Sequence, residues 1–147
     1  DSFERMMATH VTATFTVSKA AARYMLPRRA GRIINICSIL TEVARPSVAP
    51  YGAAKAAVAN LTRGMAADWA PHGLNINAIA PGYFRTELNA ALIADPKFDT
   101  WVKERTPMRR WGEQEELGGA VVFLASPAAA FVNGHILYVD GGFTATV

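Results

Sequence analysis

Arg32-Ile33-Ile34-Asn35-Ile36-Cys37-Ser38 is followed, after twelve residues rich in small and turn-forming side chains, by Tyr51-Gly52-Ala53-Ala54-Lys55. The first run is apolar, short and bounded by Gly31. It reads as a buried parallel strand, not as an alternating, half-solvated one. Ser38 closes that run, so its hydroxyl is expected at the carboxyl end of a strand. Tyr51 opens an alanine-rich helix over residues 51–69. Lys55 follows at i+4, which places phenol and ammonium on one helical face.

Ser38, Tyr51 and Lys55 together have the chemistry of a proton-transfer site. A tyrosine is a weak base near neutrality because its ordinary pKa is about 10. A fixed cation nearby favours the phenolate and lowers that value. Lys55 is expected to be that cation, and Ser38 to hold a substrate oxygen beside the Tyr51 hydroxyl. Such a trio moves a proton on or off a carbinol while a cofactor moves the hydride.

The flanking sequence supplies the rest of an α/β unit. Residues 3–26 carry apolar side chains at close to helical spacing, and Pro27 stops the pattern. Pro71, His72 and Gly73 end the helix that begins at Tyr51. Asn75 to Ala80 is then a second strand parallel to the first, so Ser38 and Pro81-Gly82 are expected at neighbouring carboxyl ends, the edge where open parallel sheets bind ligands. Residues 88–111 are polar and interrupted by Pro96 and Pro107, with a short helical run at 98–102, and are expected to lie over that edge as a covering segment. A helix opening at Gln114 and a last strand over 134–139 complete the pattern.

Composition bounds the function. The chain has 147 residues, 51% of them hydrophobic, enough for one core and short for two. Fifteen basic residues stand against twelve acidic ones, a net charge of +3, with a pI near 9.3. The basic residues form small groups without interleaved aromatics, so nucleic-acid binding is not expected. No run approaches the roughly 18 apolar residues that span a bilayer, and no leader of basic, apolar and small residues opens the chain. A cytoplasmic protein with no membrane partner is expected. The single cysteine, Cys37, lies inside the apolar strand and reads as a core residue. His10, His72 and His135 are scattered, and no metal site is expected.

Ser38, Tyr51 and Lys55 at this spacing, followed by Asn75-Ile76-Asn77-Ala78-Ile79-Ala80-Pro81-Gly82 and by Tyr138-Val139-Asp140-Gly141-Gly142, resemble the short-chain dehydrogenase/reductase family along essentially the whole chain. The run Ile33 to Ser38, Glu42, Arg45, Ala80 to Thr86 and Arg110-Trp111-Gly112 resemble its gluconate 5-dehydrogenase branch. The resemblance implies the carboxyl-terminal part of a doubly wound, Rossmann-type α/β domain, and NAD or NADP as cofactor. It implies that Ser38, Tyr51 and Lys55 are catalytic. Tyr51, Lys55, Pro81, Gly82, Phe84 and Thr86 would touch the cofactor, and Ser38, Glu42, Arg45 and Tyr51 a polyol or sugar-acid substrate. Any of Arg85, Arg105, Arg109 and Arg110 could also meet a substrate carboxylate. It further implies a homo-tetramer built on the helices at 3–26 and 51–69. The reaction implied is the interconversion of D-gluconate and 5-keto-D-gluconate. The alternatives are another family reaction, such as reduction of a 3-oxoacyl carrier protein, or a non-catalytic truncated product that pairs with full-length subunits.

Two departures accompany the resemblance. Where the family has an asparagine that supports a proton-relay water beside the lysine, this chain has His10, which can accept, donate or titrate. The family also begins with a strand and a glycine-rich turn that seats the pyrophosphate; no such turn is found here. At roughly 30 residues per strand-helix-strand unit, about a hundred residues of a nucleotide-binding half are expected to be absent, and the 147 residues by themselves are expected to be inactive.

Overall fold

A computed structural model describes residues 2–146. Its frame is a sheet of three parallel strands in the order β1 (Gly31–Ile36), β2 (Leu74–Pro81) and β3 (Ile136–Val139). β1 pairs with β2 from Gly31↔Leu74 to Ile36↔Ile79, and β2 with β3 from Ala78↔Ile136 to Pro81↔Val139. All three strands therefore deliver their carboxyl ends to one edge.

Period-two alternation sorts the side chains. On one face Leu74, Ile76, Ala78, Ala80 and Ile136 meet Ala22, Val58, Ala59, Met65 and Ala66 of the helices above. On the other face Ile34, Ile79, Leu137 and Val139 meet Leu124 and Ala129. With helices on both sides, the α/β arrangement is doubly wound, as the apolar strands require.

The helix expected over 3–26 is present as α1 (Ser2–Met7) and α2 (Ala13–Met25), joined without a break by a π-helical turn at Ala8–Thr12. Met7, Thr12 and Ala13 all keep helical dihedrals. The widened turn is centred on His10, and π turns of this kind concentrate at functional sites. α3 (Ala49–Trp69) starts two residues before Tyr51, with proline in its first turn, where the missing N–H costs nothing. Gly73 ends the turn that follows with φ +84°, and a Cβ there would overlap the Arg29 carbonyl, so both the handedness and the close approach demand glycine.

Three elements differ from the expected bounds. After a short helix α4 (Ala90–Ala94), the run expected at 98–102 extends over α5 (Pro96–Arg105). α5 starts early because the Asp95 carboxylate accepts from the Lys97 N–H at 3.0 Å and proline occupies the first turn. The stretch from Gln114 to Leu117 is a 3-10 turn, and α6 (Gly118–Ala125) begins only at Gly118, four residues after the expected opening. β3 starts at Ile136, after Gly134 at φ +70°. Side chains supplement the backbone pairing there: Gly134 N–H donates to the Ile76 carbonyl at 2.8 Å, while Asn133 Oδ1 accepts from Ile76 N–H at 2.7 Å and Asn77 Oδ1 from His135 N–H at 2.9 Å.

A polar thread crosses the core. Ser18 of α2 donates to Asn35 of β1 at 3.5 Å, and Asn35 Nδ2 donates to Thr62 Oγ1 of α3 at 2.9 Å. All three residues are buried, and each satisfies its neighbour, as buried polar groups must.

Candidate active site

β1 leaves the sheet through Cys37 and Ser38. Cys37 N–H still donates to the Ile79 carbonyl at 2.8 Å, so Ser38 is fixed one residue past the last ladder bond. Its hydroxyl oxygen accepts from the Leu40 N–H at 3.2 Å as the cap of a 3-10 turn. That contact occupies a lone pair and leaves the hydroxyl hydrogen free to donate. Tyr51 lies in the first turn of α3 and Lys55 one turn on. The Lys55 ammonium donates to the Ile36 carbonyl at 2.8 Å and stands 5.6 Å from the Tyr51 ring centroid. His10, on the π turn, meets the same ring edge-on, centroids 5.4 Å apart at 85°.

Ser38 and Tyr51 line a cleft of about 300 Å³ at the carboxyl edge of the sheet, together with Arg45, Pro81, Gly82 and Tyr83. Gly82 is pressed against the start of the segment after β3: a Cβ there would lie 2.8 Å from Asp140 Cα. The expected neighbours therefore do converge, from two strand ends and one helix.

The electrostatics differ from the expectation at Tyr51. Its pKa is raised, not lowered: burial disfavours the phenolate, and hydrogen bonding with the Ser38 hydroxyl only partly offsets this. Lys55 is itself 7% exposed, with its ammonium spent on a carbonyl, and burial lowers its own pKa. The isolated phenol is thus a proton donor at neutral pH. His10 is lowered from 6.5, first by burial and then by the Lys55 charge, so its imidazole is neutral near pH 7. Burial likewise raises the Cys37 thiol, in keeping with a core residue.

Three other residues singled out from the resemblance, Phe84, Thr86 and Glu42, do not line this cleft. Phe84 is 6% exposed and packs on Gly112, away from the cleft; consecutive residues of an extended segment point to opposite sides, and it is Tyr83 that faces in. Thr86 is not part of the cleft wall. Nor is Glu42, which lies on the exposed side of the loop. Its charge instead acts on Tyr138, whose phenol is raised chiefly by burial and then by Glu42.

Tyr83 escaped the sequence reading. It sits under the covering segment, with its ring 5.6 Å from Phe98, 5.7 Å from Trp101 and 5.6 Å from Trp111, all steeply inclined, the geometry favoured by ring quadrupoles. Trp111 is fully buried and its indole N–H donates to Asp99 at 2.8 Å. The density of aromatics at 83, 84, 98, 101 and 111 was the available signal. Among the described residues no three His, Cys, Asp or Glu side chains converge as metal ligands, and no helix is long and apolar enough to cross a membrane.

Comparison with known proteins agrees with this arrangement. A family model described as enoyl-(acyl carrier protein) reductase matches residues 1–144. The chain is 55% identical over 145 residues to gluconate 5-dehydrogenase of Gluconobacter oxydans, covering 99% of this chain and 57% of that protein. It is 51% identical to 5-keto-D-gluconate 5-reductase of Escherichia coli K12, over 97% of this chain and 56% of that one. The crystal structure of a gluconate 5-dehydrogenase from Burkholderia cenocepacia, in complex with NADP and tartrate, superposes with a TM-score of 0.98 at 52% identity, covering all of this chain and 58% of that one. The chain thus spans just over half the length of the relatives it matches. With its parallel sheet, its Ser38-Tyr51-Lys55 constellation and these relatives, the chain belongs to the short-chain dehydrogenase/reductase family.

Proposed function

We propose that the chain is the catalytic part of an NAD(P)-dependent oxidoreductase that interconverts D-gluconate and 5-keto-D-gluconate. The observation that carries this reading is that Ser38 and Tyr51 share the cleft, with the Lys55 ammonium held on the Ile36 carbonyl 5.6 Å from the Tyr51 ring, in a chain 55% identical to a gluconate 5-dehydrogenase. A nucleotide-binding half that precedes these residues in the whole protein is part of the proposal.

A nicotinamide cofactor, when bound, supplies or accepts the hydride. The residues present fit such a group: Ile36 and Pro81 give the cleft apolar walls, and Lys55 brings a cation to the same strand end. In the reductive direction the Tyr51 phenol donates its proton to the substrate carbonyl oxygen while Ser38 donates a hydrogen bond to that oxygen. The raised Tyr51 pKa suits this acid role. In the oxidative direction the same phenol must first lose its proton, so oxidation gains with rising pH.

The proposal extends to assembly. The outer side of α3 carries exposed Ala53, Ala56 and Ala67, small enough for a second helix to approach closely, and α2 exposes Phe15 and Val17. These faces are read as the contacts of a homo-tetramer. The substrate reading is tested with Tyr51→Phe in the full-length enzyme. Turnover of 5-keto-D-gluconate falls at least 100-fold, in line with the loss of a general acid, while cofactor affinity is kept. A variant with parental turnover would overthrow the assignment of Tyr51.

A further inference from the structure

The segment after β3 turns back against the end of α5. Gly141 and Gly142 have φ +64° and +90°, and a Cβ on them would lie 2.8 Å from Thr106 Cγ2 and 2.9 Å from Pro107 Cγ, respectively, so handedness and close approach both call for glycine. Asp140 closes the turn. Its carboxylate accepts from the Gly142 N–H at 2.9 Å and from the Thr144 N–H and hydroxyl at 2.8 and 2.6 Å. The turn delivers Phe143, 4% exposed, into the aromatic group of the covering segment, with its ring centroid 5.5 Å from Tyr83 and 5.8 Å from Trp101.

Arg105, in the last turn of α5, fastens this segment. Its guanidinium lies 5.0 Å from the Phe143 ring centroid, within cation–π range, and it donates to the Thr146 hydroxyl and carbonyl, both at 2.8 Å. That arginine is therefore spent on the protein and not on a substrate carboxylate. The segment also touches the loop after β2 twice, at Gly82 against Asp140 and at Tyr83 against Phe143. The Tyr83 backbone is pinned, because its carbonyl accepts from the Gly112 N–H at 2.9 Å. What remains to be set is the direction of the ring, and its aromatic neighbours set it.

We infer that Phe143 is a positioning residue for the reaction: held by Arg105, it braces the Tyr83 ring, so that the segment after β3 fixes the wall that Tyr83 contributes to the cleft of Ser38 and Tyr51. Phe143 itself is absent from the cleft wall and acts through Tyr83. Its removal leaves the proton donor and the Ser38 hydroxyl in place and loosens only the wall, so ground state and transition state lose the same contact. This inference rests on the proposed function for the ketone used as probe, and not for the bracing.

The experiment uses the full-length enzyme with Phe143→Leu, Arg105→Gln, Tyr83→Leu and the double variant Tyr83→Leu with Phe143→Leu. Phe143→Leu raises KM for 5-keto-D-gluconate roughly 3- to 10-fold, the worth of one aromatic pair, and keeps kcat within about twofold. Arg105→Gln raises KM in the same direction; Arg105 is partly exposed, so this variant keeps the test should Phe143→Leu fail to fold. In the Tyr83→Leu background the Phe143 change adds nothing, because the ring it braces is gone. Hydrogen exchange quickens over residues 83–105 in both single variants, while β1 and β2 keep the parental rates. Parental KM in both single variants, a loss in kcat instead of KM, a full Phe143 effect without the Tyr83 ring, or faster exchange across the whole sheet each overturns the inference. If the parent reduces no 5-keto-D-gluconate, the substrate reading falls, and hydrogen exchange decides the bracing by itself.

Discussion

The Lys55 ammonium is bonded to the Ile36 carbonyl oxygen at 2.8 Å. This one contact pins the second turn of α3 to the last residue of β1, and it sets the cation 5.6 Å from the Tyr51 ring. Ile36 is the last residue of that strand, and Cys37 beyond it still donates to the Ile79 carbonyl. Lys55 therefore has two parts to play, closing a backbone group and charging the site.

Replacement of Lys55 by Met separates the two. Losing the lysine bond at that carbonyl costs about 1–3 kcal/mol, and removing a desolvated ammonium from a position that is 7% exposed returns a similar amount. Thermal unfolding of Lys55→Met therefore shifts little, by under about 1 kcal/mol. Turnover of the full-length enzyme falls by a factor on the order of 100 or more. A large drop in melting temperature with retained turnover would mean that the lysine is structural alone.

His10 makes a pH-dependent contribution whose sign is fixed by its environment. Burial and the Lys55 charge lower its pKa below 6.5 in the folded chain, so the unfolded chain takes up the proton first as pH falls. The associated stability is present above about pH 6.5 and is lost below it. The groups facing His10 are Tyr51 and Lys55, both from α3. In His10→Asn the denaturation midpoint becomes less dependent on pH in the mildly acidic range. Parallel curves for parent and variant below pH 6.5 would show that His10 does not titrate as described.

The buried thread Ser18–Asn35–Thr62 gives a third measurement. Thr62→Val conserves volume and deletes the acceptor of Asn35 Nδ2, leaving a donor unpaired at a residue 7% exposed. Chemical denaturation should show a loss of about 1–3 kcal/mol. Ser18→Ala costs less, because its bond is stretched to 3.5 Å. The pair Asn35→Leu with Thr62→Val recovers part of the loss by removing both partners together. If the single Thr62 variant is as stable as the parent, the thread is not what joins the strand to the helix.

The first two strands and the helix at 51–69 were legible because their signals are local, whereas the pairing of β3 with β2 was not. Isoleucines from 33 to 36 and the alanines after Tyr51 state their periods within one window, and Pro71 to Gly73 mark an end. The π turn at Ala8–Thr12 was not legible. Its residues keep helical dihedrals, and nothing in Ala-Thr-His-Val-Thr distinguishes a widened turn from an α turn. Asp95-Pro96 did carry the start of α5, as a cap followed by a first-turn proline, but the polar residues around it masked the helix.

At the site the same division appears. Spacing puts Tyr51 and Lys55 on one helix face and Ser38 and Gly82 at neighbouring strand ends, and the family resemblance implied that the two groups meet. The direction of the Tyr51 pKa depends on how much water the fold leaves around the phenol, a quantity set by the packing of α3 against the sheet and of His10 on its ring. Spacing placed the lysine near the phenol, and burial of both groups decided which effect won.

The chain's own order of residues determined a parallel α/β unit with its chemistry at one sheet edge, because hydrophobic period and turn residues act over a few positions. Only the tertiary structure decided which side chains reach that edge. Tyr83 entered the cleft while Phe84 turned away, Glu42 faced Tyr138, and Arg45 reached the cleft wall while Arg85, Arg105, Arg109 and Arg110 found partners elsewhere. Those choices depend on contacts between segments far apart in sequence, and pairing of charges across such distances is fixed by packing, not by neighbouring residues.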